Sequence, residues 1–162
     1  MNQALKQSAT ITLQGDSDFL ITREFDAPRE LVWRAVTEPD LAKRWFHANR
    51  AEVVSAEIDL RVGGTWRYVS QLPDGSTFAF YGEFREIEPV SRIVQTEVFE
   101  PFPEAGSVNT MTLEDLGNGR TWLTVLVQHS TPEHRAAQLE SGMEAGMQDA
   151  YDLLEDVANS LA

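Results

Sequence analysis

From Ala51 to Ser130 the apolar residues recur at every second position, and turn chemistry interrupts them at Gly63-Gly64, "LPDGS", "EPVS", "EPFPEAGS" and "LGNGR". A period of two means that successive side chains leave opposite faces of a strand, so a long alternating stretch cut by Gly, Pro and Asn turns folds as an antiparallel meander. The stretch holds about six strands. Taking the apolar parity of each as inward gives Val54, Ala56, Ile58 and Leu60; Trp66 and Tyr68; Phe78, Phe80 and Phe84. In the later strands it gives Val94 and Val98; Met111 and Leu113; Leu123, Val125 and Val127. The other parity is mostly polar, with Arg67, Gln71, Glu83, Arg85, Gln95, Glu97, Thr110, Thr112 and Glu114, and is expected to face water.

A sheet with one apolar face needs a cover. The C-terminal "SGMEAGMQDAYDLLEDVANSLA" changes the period to 3.6 and aligns Met143, Met147, Ala150, Tyr151, Leu154, Val157, Ala158 and Leu161 on one stripe. Ser141 and Glu144 have the spacing of a capping box at its start, and Ser130 with Glu133 repeats it for a helical lead-in over "STPEHRAAQLE". Before the meander, "ATITLQ" and "DFLITREF" alternate as strands around a turn at Gly15-Asp16. "DAPRELVWRAV" and "TEPDLAKRWF" then read as two short helices, with Asp26 able to cap the first and Pro28 and Pro39 in first turns. Residues 1–7 are polar and expected to be disordered, and residues 1–162 are expected to form a single domain.

Composition excludes several classes of function. Thirteen basic against 26 acidic side chains give a net charge of −13, which repels nucleic acid and anionic membrane surfaces. There is no cysteine, which removes disulfides, thiolate chemistry and cysteine-ligated zinc. The start lacks the apolar core of a signal peptide and no later run approaches the ~20 apolar residues of a membrane span, so a cytoplasmic protein without membrane insertion is expected.

Candidate chemistry is sparse. A phosphate loop needs glycines that open a helix, whereas "DLRVGGTWRY" leads into a strand and lacks the lysine. Gly63-Gly64 is therefore read as a turn that aims Trp66 and Tyr68. His47, His129 and His134 are not at metal-ligand spacing, and no metal or cofactor is expected. His129 shares the inward parity of Val125 and Val127. Glu83, Glu86, Glu88, Glu97 and Glu104 read as solvated charge, and Glu100 alone among the glutamates is placed inward, at a strand end. No serine sits in a nucleophile elbow. The strongest signal is a set of large side chains expected to share one interior: Trp45, Trp66, Tyr68, Phe78, Phe80, Met111, Met143, Met147 and Tyr151. Core packing accounts for any one of them taken singly.

The words "ITREFDAPRELVWRAVTEPDLAKRWF", "DLRVGGTWRY", "PDGSTFAFYGEFREIEP" and "GRTWLTV" resemble, in sequence and order, bacterial proteins similar to the C-terminal domain of activators of the heat shock protein 90 ATPase. That family lies in the SRPBCC superfamily, START-like and birch-pollen-allergen-like. The resemblance runs from about Ile21 to Leu161. It implies an α+β helix-grip fold, with a curved sheet of about six to seven strands wrapped around the C-terminal helix. It also implies an apolar pocket between sheet and helix, where Ser70, Thr96, Asn109, His129 and the Tyr68 and Tyr151 hydroxyls would orient a ligand. The chain departs from the family pattern at Gly146-Met147, where a Gly-Trp pair is usual, and carries nothing resembling the chaperone-binding domain of the true activators.

Three functions stay open at this point. One is a non-catalytic binder of a small apolar or lipid-like molecule. The second is a cyclase or dehydratase using His129 or Tyr68 as acid or base. The third is an interaction protein, either a co-chaperone or a homodimer, using Trp122, Leu126, Phe99 or Phe102.

Overall fold

The computed structural model describes residues 6–48 and 50–162. Eight strands form one antiparallel sheet: β1 Thr10–Gln14, β2 Asp18–Phe25, β3 Glu52–Ile58, β4 Thr65–Gln71, β5 Thr77–Glu88, β6 Arg92–Phe99, β7 Ser107–Gly117 and β8 Arg120–His129. Their order is β1-β2-β8-β7-β6-β5-β4-β3. The meander over β3 to β8 thus runs strand by strand, and β2 closes its far side against β8. The helices are α1 Arg29–Thr37, α2 Pro39–Ala42, α3 Pro132–Glu140 and α4 Met143–Asn159, with a single 3-10 turn at Pro103–Ala105. The fold is α+β with a curved antiparallel sheet and a C-terminal helix, as expected, with one strand more than the upper expectation. Of residues 1–7, expected to be disordered, 1–5 lie outside the described residues, and Lys6 pairs with Asp156 at 2.7 Å. No helix among the described residues is long and apolar enough to cross a membrane.

Helix boundaries differ in detail from those the cap signals imply. The N-cap of α1 is Pro28 without a side-chain hydrogen bond, and the Asp26 amide instead donates to Glu155 Oε1 at 2.7 Å. In α3 the cap is Thr131, whose hydroxyl accepts from the His134 amide at 3.1 Å. Ser141 turns back to donate to the Gln138 carbonyl at 2.6 Å, and the N-cap of α4 is Gly142, with φ of 84°. Each helix is where its apolar period puts it, but of α1, α3 and α4 only α3 has a side-chain N-cap, one residue on from the Ser130 that the spacing favours.

One core, built on Phe25, Val32, Trp33, Phe84, Leu123 and Leu154, joins the sheet to α1 and α4. A smaller one, with Phe19, Ile21 and Val127, lies under the N-terminal half of α4 and is flanked by half-buried Met143 and Met147. Between them stands Arg23, on the inward parity of β2 and fully buried. Its guanidinium lies 2.9 Å from Asp152 and 3.6 Å from Glu155 on α4, and 4.6 Å above the Phe25 ring. Glu155 is itself buried and also accepts from the Asp26 amide. This pair ties β2, the start of α1 and α4 together.

The "VGG" turn is as the sequence reads. Gly63 has φ of +84°, and a Cβ on Gly64 would strike the Asp59 carbonyl oxygen, so both positions need glycine. Gly82 is tighter still, because a Cβ there would strike the Thr96 carbonyl that accepts the Trp66 indole N–H at 3.1 Å.

Removing one partner of a buried pair leaves the other charge uncompensated. Glu155→Ala is expected to cost about 3–5 kcal/mol by denaturant unfolding, whereas Arg23→Met combined with Glu155→Leu recovers most of that loss. A cost below about 1 kcal/mol for the single change would show that the pair does not hold α4.

Candidate functional site

Strand register decides which side chains share the concave face. Antiparallel pairing sets Leu123 opposite Leu113, Val125 opposite Met111 and Val127 opposite Asn109. The next strand continues it, with Met111 opposite Ile93, Asn109 opposite Gln95 and Ser107 opposite Glu97. The inward residues of β6 are therefore Ile93, Gln95 and Glu97, one step from the assignment that alternation favours. Two candidates change place. Thr96 turns to the other face, where its hydroxyl accepts the Glu83 amide at 2.9 Å, and Glu97 turns inward. Glu100, expected inward, is exposed and pairs with Arg67 at 2.7 Å. A bulge at Val53/Ser55 likewise exposes Val54 and buries Val53.

Between α1, the turns after α2 and strands β3 to β6 lies a cavity of about 80 Å³. Trp45, Phe46, Trp66 and Tyr68 make its aromatic wall, and Val36, Ile58, Phe84 and Ile93 complete the apolar lining. The rings interlock edge to face: Phe46 and Tyr68 centroids are 4.7 Å apart, Trp45 and Phe46 5.9 Å. Both indoles are anchored from behind, Trp45 donating to the Ala35 carbonyl at 2.8 Å and Trp66 to that of Thr96 at 3.1 Å. The wall is thus rigid. Leu60, 39% exposed, stands at the rim with Thr37. Among the described residues the polar lining consists of Thr37, Gln95, Glu97 and Tyr68.

Glu97 is the one ionisable carboxyl in this lining. Glu97 is half-buried, and desolvation pushes its pKa from the ordinary 4.5 up to about 7, a hydrogen bond from the Asn109 side chain offsetting part of the rise. The same burial, reinforced by the Glu97 charge, pushes the Tyr68 and Tyr151 phenols well above the usual tyrosine range. Among the described residues Glu97 enters no ion pair, in contrast with Glu155.

The remaining expected site residues fall into separate groups. Trp45, Trp66 and Tyr68 line the cavity. Phe80 and Met111 pack against the main core, and Phe78 stacks edge to face with Phe80 and Phe99 at 6.2 and 5.9 Å. Met143, Met147 and Tyr151 flank the smaller core under α4. His129 lies there too, its Nε2 2.6 Å from Gln138 Oε1 and its ring 6.1 Å from Phe19. Asn109 joins the groups, since its Oδ1 accepts from Ser107 at 2.9 Å while its side chain reaches Glu97. Ser70 is fully buried with its hydroxyl unpartnered. Trp122 and Leu126 are half-buried on the convex face, opposite Glu24 and Leu20 of β2. His47 sits 4.6 Å from Phe46, 5.4 Å from Phe78 and 5.8 Å from Phe80, and burial lowers its pKa from 6.5 to about 4. No group of three or more His, Asp or Glu among the described residues could hold a metal ion.

Comparison with known proteins gives one consistent picture. The family described as Activator of Hsp90 ATPase homolog 1-like protein matches residues 26–159. A crystal structure of a protein from Rhodobacter sphaeroides is 27% identical, covering 94% of this chain and 99% of that one, with a TM-score of 0.87. A protein from Nitrosomonas europaea is 28% identical over 92% of this chain and 98% of its own, with a TM-score of 0.82. The AHSA1-like protein from Aeromonas hydrophila is 25% identical over 88% and 93%, with a TM-score of 0.67. No curated protein matches the chain.

Glu97 and His47 act on stability with opposite signs. The folded pKa of Glu97, about 7, lies above its unfolded value of 4.5, so its contribution is complete below pH 4.5 and is lost as pH rises through 7. Glu97→Gln should match the parent at pH 4 and exceed it by up to about 3 kcal/mol at pH 8.5 in urea unfolding; equal stability at both would contradict a desolvated carboxylate. For His47 the folded pKa of about 4 lies below 6.5, so stability falls as pH drops through that window. His47→Leu should remove up to about 3 kcal/mol of acid sensitivity between pH 6.5 and 4, and an unchanged acid limb would count against that assignment.

Proposed function

Because the chain belongs to the family of Activator of Hsp90 ATPase homolog 1-like proteins, we propose that it works in the cytoplasm as a binding protein for a small, largely apolar molecule received on the concave face of its sheet. The observation that carries this reading is the cavity walled by Trp45, Phe46, Trp66 and Tyr68 with its few convergent polar groups. Apolar lining with a small number of placed polar atoms is the composition of ligand sites. At about 80 Å³ the space is well below the ~300 Å³ of a drug-sized pocket, so the ligand has only a few non-hydrogen atoms or enters by displacing the rim at Leu60 and Thr37. The cavity is bounded by α1 and the turns after α2 rather than by α4, which shifts the site toward the β3–β6 half of the sheet.

Acid–base catalysis in the same cavity is favoured by one observation. A carboxyl poised near neutrality in a water-poor space suits a general acid or base, and Glu97 takes that role in place of His129 or Tyr68. His129 is occupied by Gln138, and the Tyr68 phenol is pushed away from neutrality. The family description names an activator of the Hsp90 ATPase, and membership supports a co-chaperone role without any feature of the cavity adding to it.

Native mass spectrometry of the freshly purified protein is expected to show a bound small molecule. In the emptied protein, 1-butanol should shift the indole N–H signals of Trp45 and Trp66, with a dissociation constant on the order of 1 mM for so few atoms. Saturation at 100 times that constant adds about 2.7 kcal/mol of stability, a rise of several degrees in Tm. Indole signals that stay fixed across such a titration, with no co-purified molecule, would contradict the binding reading.

A further inference from the structure

Taking the cavity as a binding site, we propose that its ligand is a small organic monocation with an apolar body, of the primary alkylammonium type, whose charged head pairs with Glu97 while its chain lies against the aromatic wall. The proposal deepens the binding reading above and rests on it.

The charge balance of the cavity is the first ground. Glu97 reaches into a space otherwise lined by rings and aliphatic side chains, and among the described residues no Lys, Arg or His lines it. An ionised carboxylate accepts hydrogen bonds and donates none, so it needs donors or a cation to remain charged in an apolar setting. The protein supplies the Asn109 amide, and the buried Arg23 is held on Asp152 and Glu155. A carboxylate that the fold leaves without a counter-ion is complementary to a cation brought from outside. An anionic ligand would meet like charge, and a neutral donor could give the carboxylate a hydrogen bond but no compensating charge.

The wall is the second ground. Trp45, Phe46, Trp66 and Tyr68 turn rings toward the same small volume, and the two indoles are fixed by their backbone hydrogen bonds. Ring faces attract ammonium groups, most strongly where water is excluded. Wall and carboxylate therefore favour the same head group. The net charge of −13 adds a field that raises the local concentration of cations. Gln95 at the lining offers a carbonyl oxygen for a further ammonium N–H, which an alkylammonium with three donors can use.

Protonation then couples to binding. The titratable groups turned toward Glu97 are Tyr68 from β4 and Tyr151 from α4, both neutral throughout the working range. β7 faces it with Asn109 and Ser107, and β5 with the Gly82 backbone and Phe84, none of which titrates. The segment after α2 contributes Trp45 and Phe46, while His47 beyond them is neutral above about pH 4. Glu97 is thus the group whose charge changes near neutral pH, and a cation binds only its ionised form.

The test compares n-butylammonium, 1-butanol and butyrate on the intact chain, following the Trp45 and Trp66 indole signals at pH 5.5 and 8.5. The expected result is n-butylammonium at least ten times tighter than 1-butanol at pH 8.5 and weakened about thirty-fold at pH 5.5, since Glu97 is then mostly protonated with a pKa of about 7. Butyrate should bind more weakly than either at pH 8.5. Glu97→Gln should abolish both the preference for n-butylammonium and its pH dependence, and a preference that survives the change overturns the pairing with Glu97. Binding of 1-butanol equal to or tighter than n-butylammonium at pH 8.5 overturns the cation proposal and leaves the binding reading intact. Failure of all three overturns both.

Discussion

The buried guanidinium of Arg23 is the fixed point from which the rest of this molecule is laid out. It reaches from β2 to Asp152 and Glu155, and Glu155 in turn holds the chain at Asp26 where α1 begins. A buried ion pair of this kind adds little net stability, but it permits only one placement of the helix, because any other leaves a charge without a partner. The C-terminal half of α4 is accordingly sunk in the core at Ala150, Leu154, Val157 and Ala158, and its first turns remain half-exposed. With α4 pinned over β2 and β8, the β3–β6 half of the concave face is left to α1, α2 and the turns that follow. Those short elements close it with Trp45 and Phe46 and leave a cavity.

Two inward glutamates show how environment divides one chemistry into two roles. Glu155 is surrounded by donors, the Arg23 guanidinium and the Asp26 amide, and serves the fold. Glu97 has the Asn109 side chain and an apolar space, and its ionisation near neutrality works against the fold. Side chains that cost stability where a neutral one of the same shape would not are characteristic of sites under a different demand. The aromatic wall in front of Glu97 gives that demand a location, and the absence of any lining cation among the described residues gives it a sign.

Much of this was readable before any coordinates. Order of elements, the turn at Gly63-Gly64, the stripe of α4 and the inward placement of Trp66 and Tyr68 all follow from period and turn chemistry. Alternation misplaces β6 because "RIVQTEVF" has apolar residues on both parities, Ile93 and Phe99 on one and Val94 and Val98 on the other, and so does not choose a face. A signal was nevertheless present: carrying the register inward from Val127 through Asn109 leads to Gln95, and hence to Glu97 two residues on. The bulges at Val53/Ser55 and Phe84/Glu86 have no such signature, since each is set by cross-strand fit. Arg23 was illegible for a related reason. A charged residue on an inward parity reads as an error in the pattern until its partner is found, and that partner lies more than a hundred residues away.

Glu97, a carboxyl with no ion-pair partner among the described residues, faces a largely apolar cavity. A carbon-13 NMR titration of the Glu97 carboxyl in the ligand-free protein measures this directly. A midpoint near 7, well separated from the surface glutamates, is the predicted result. A midpoint near the ordinary 4.5 would mean that the carboxylate is solvated or paired, and would contradict both the cavity chemistry and the ligand class built on it.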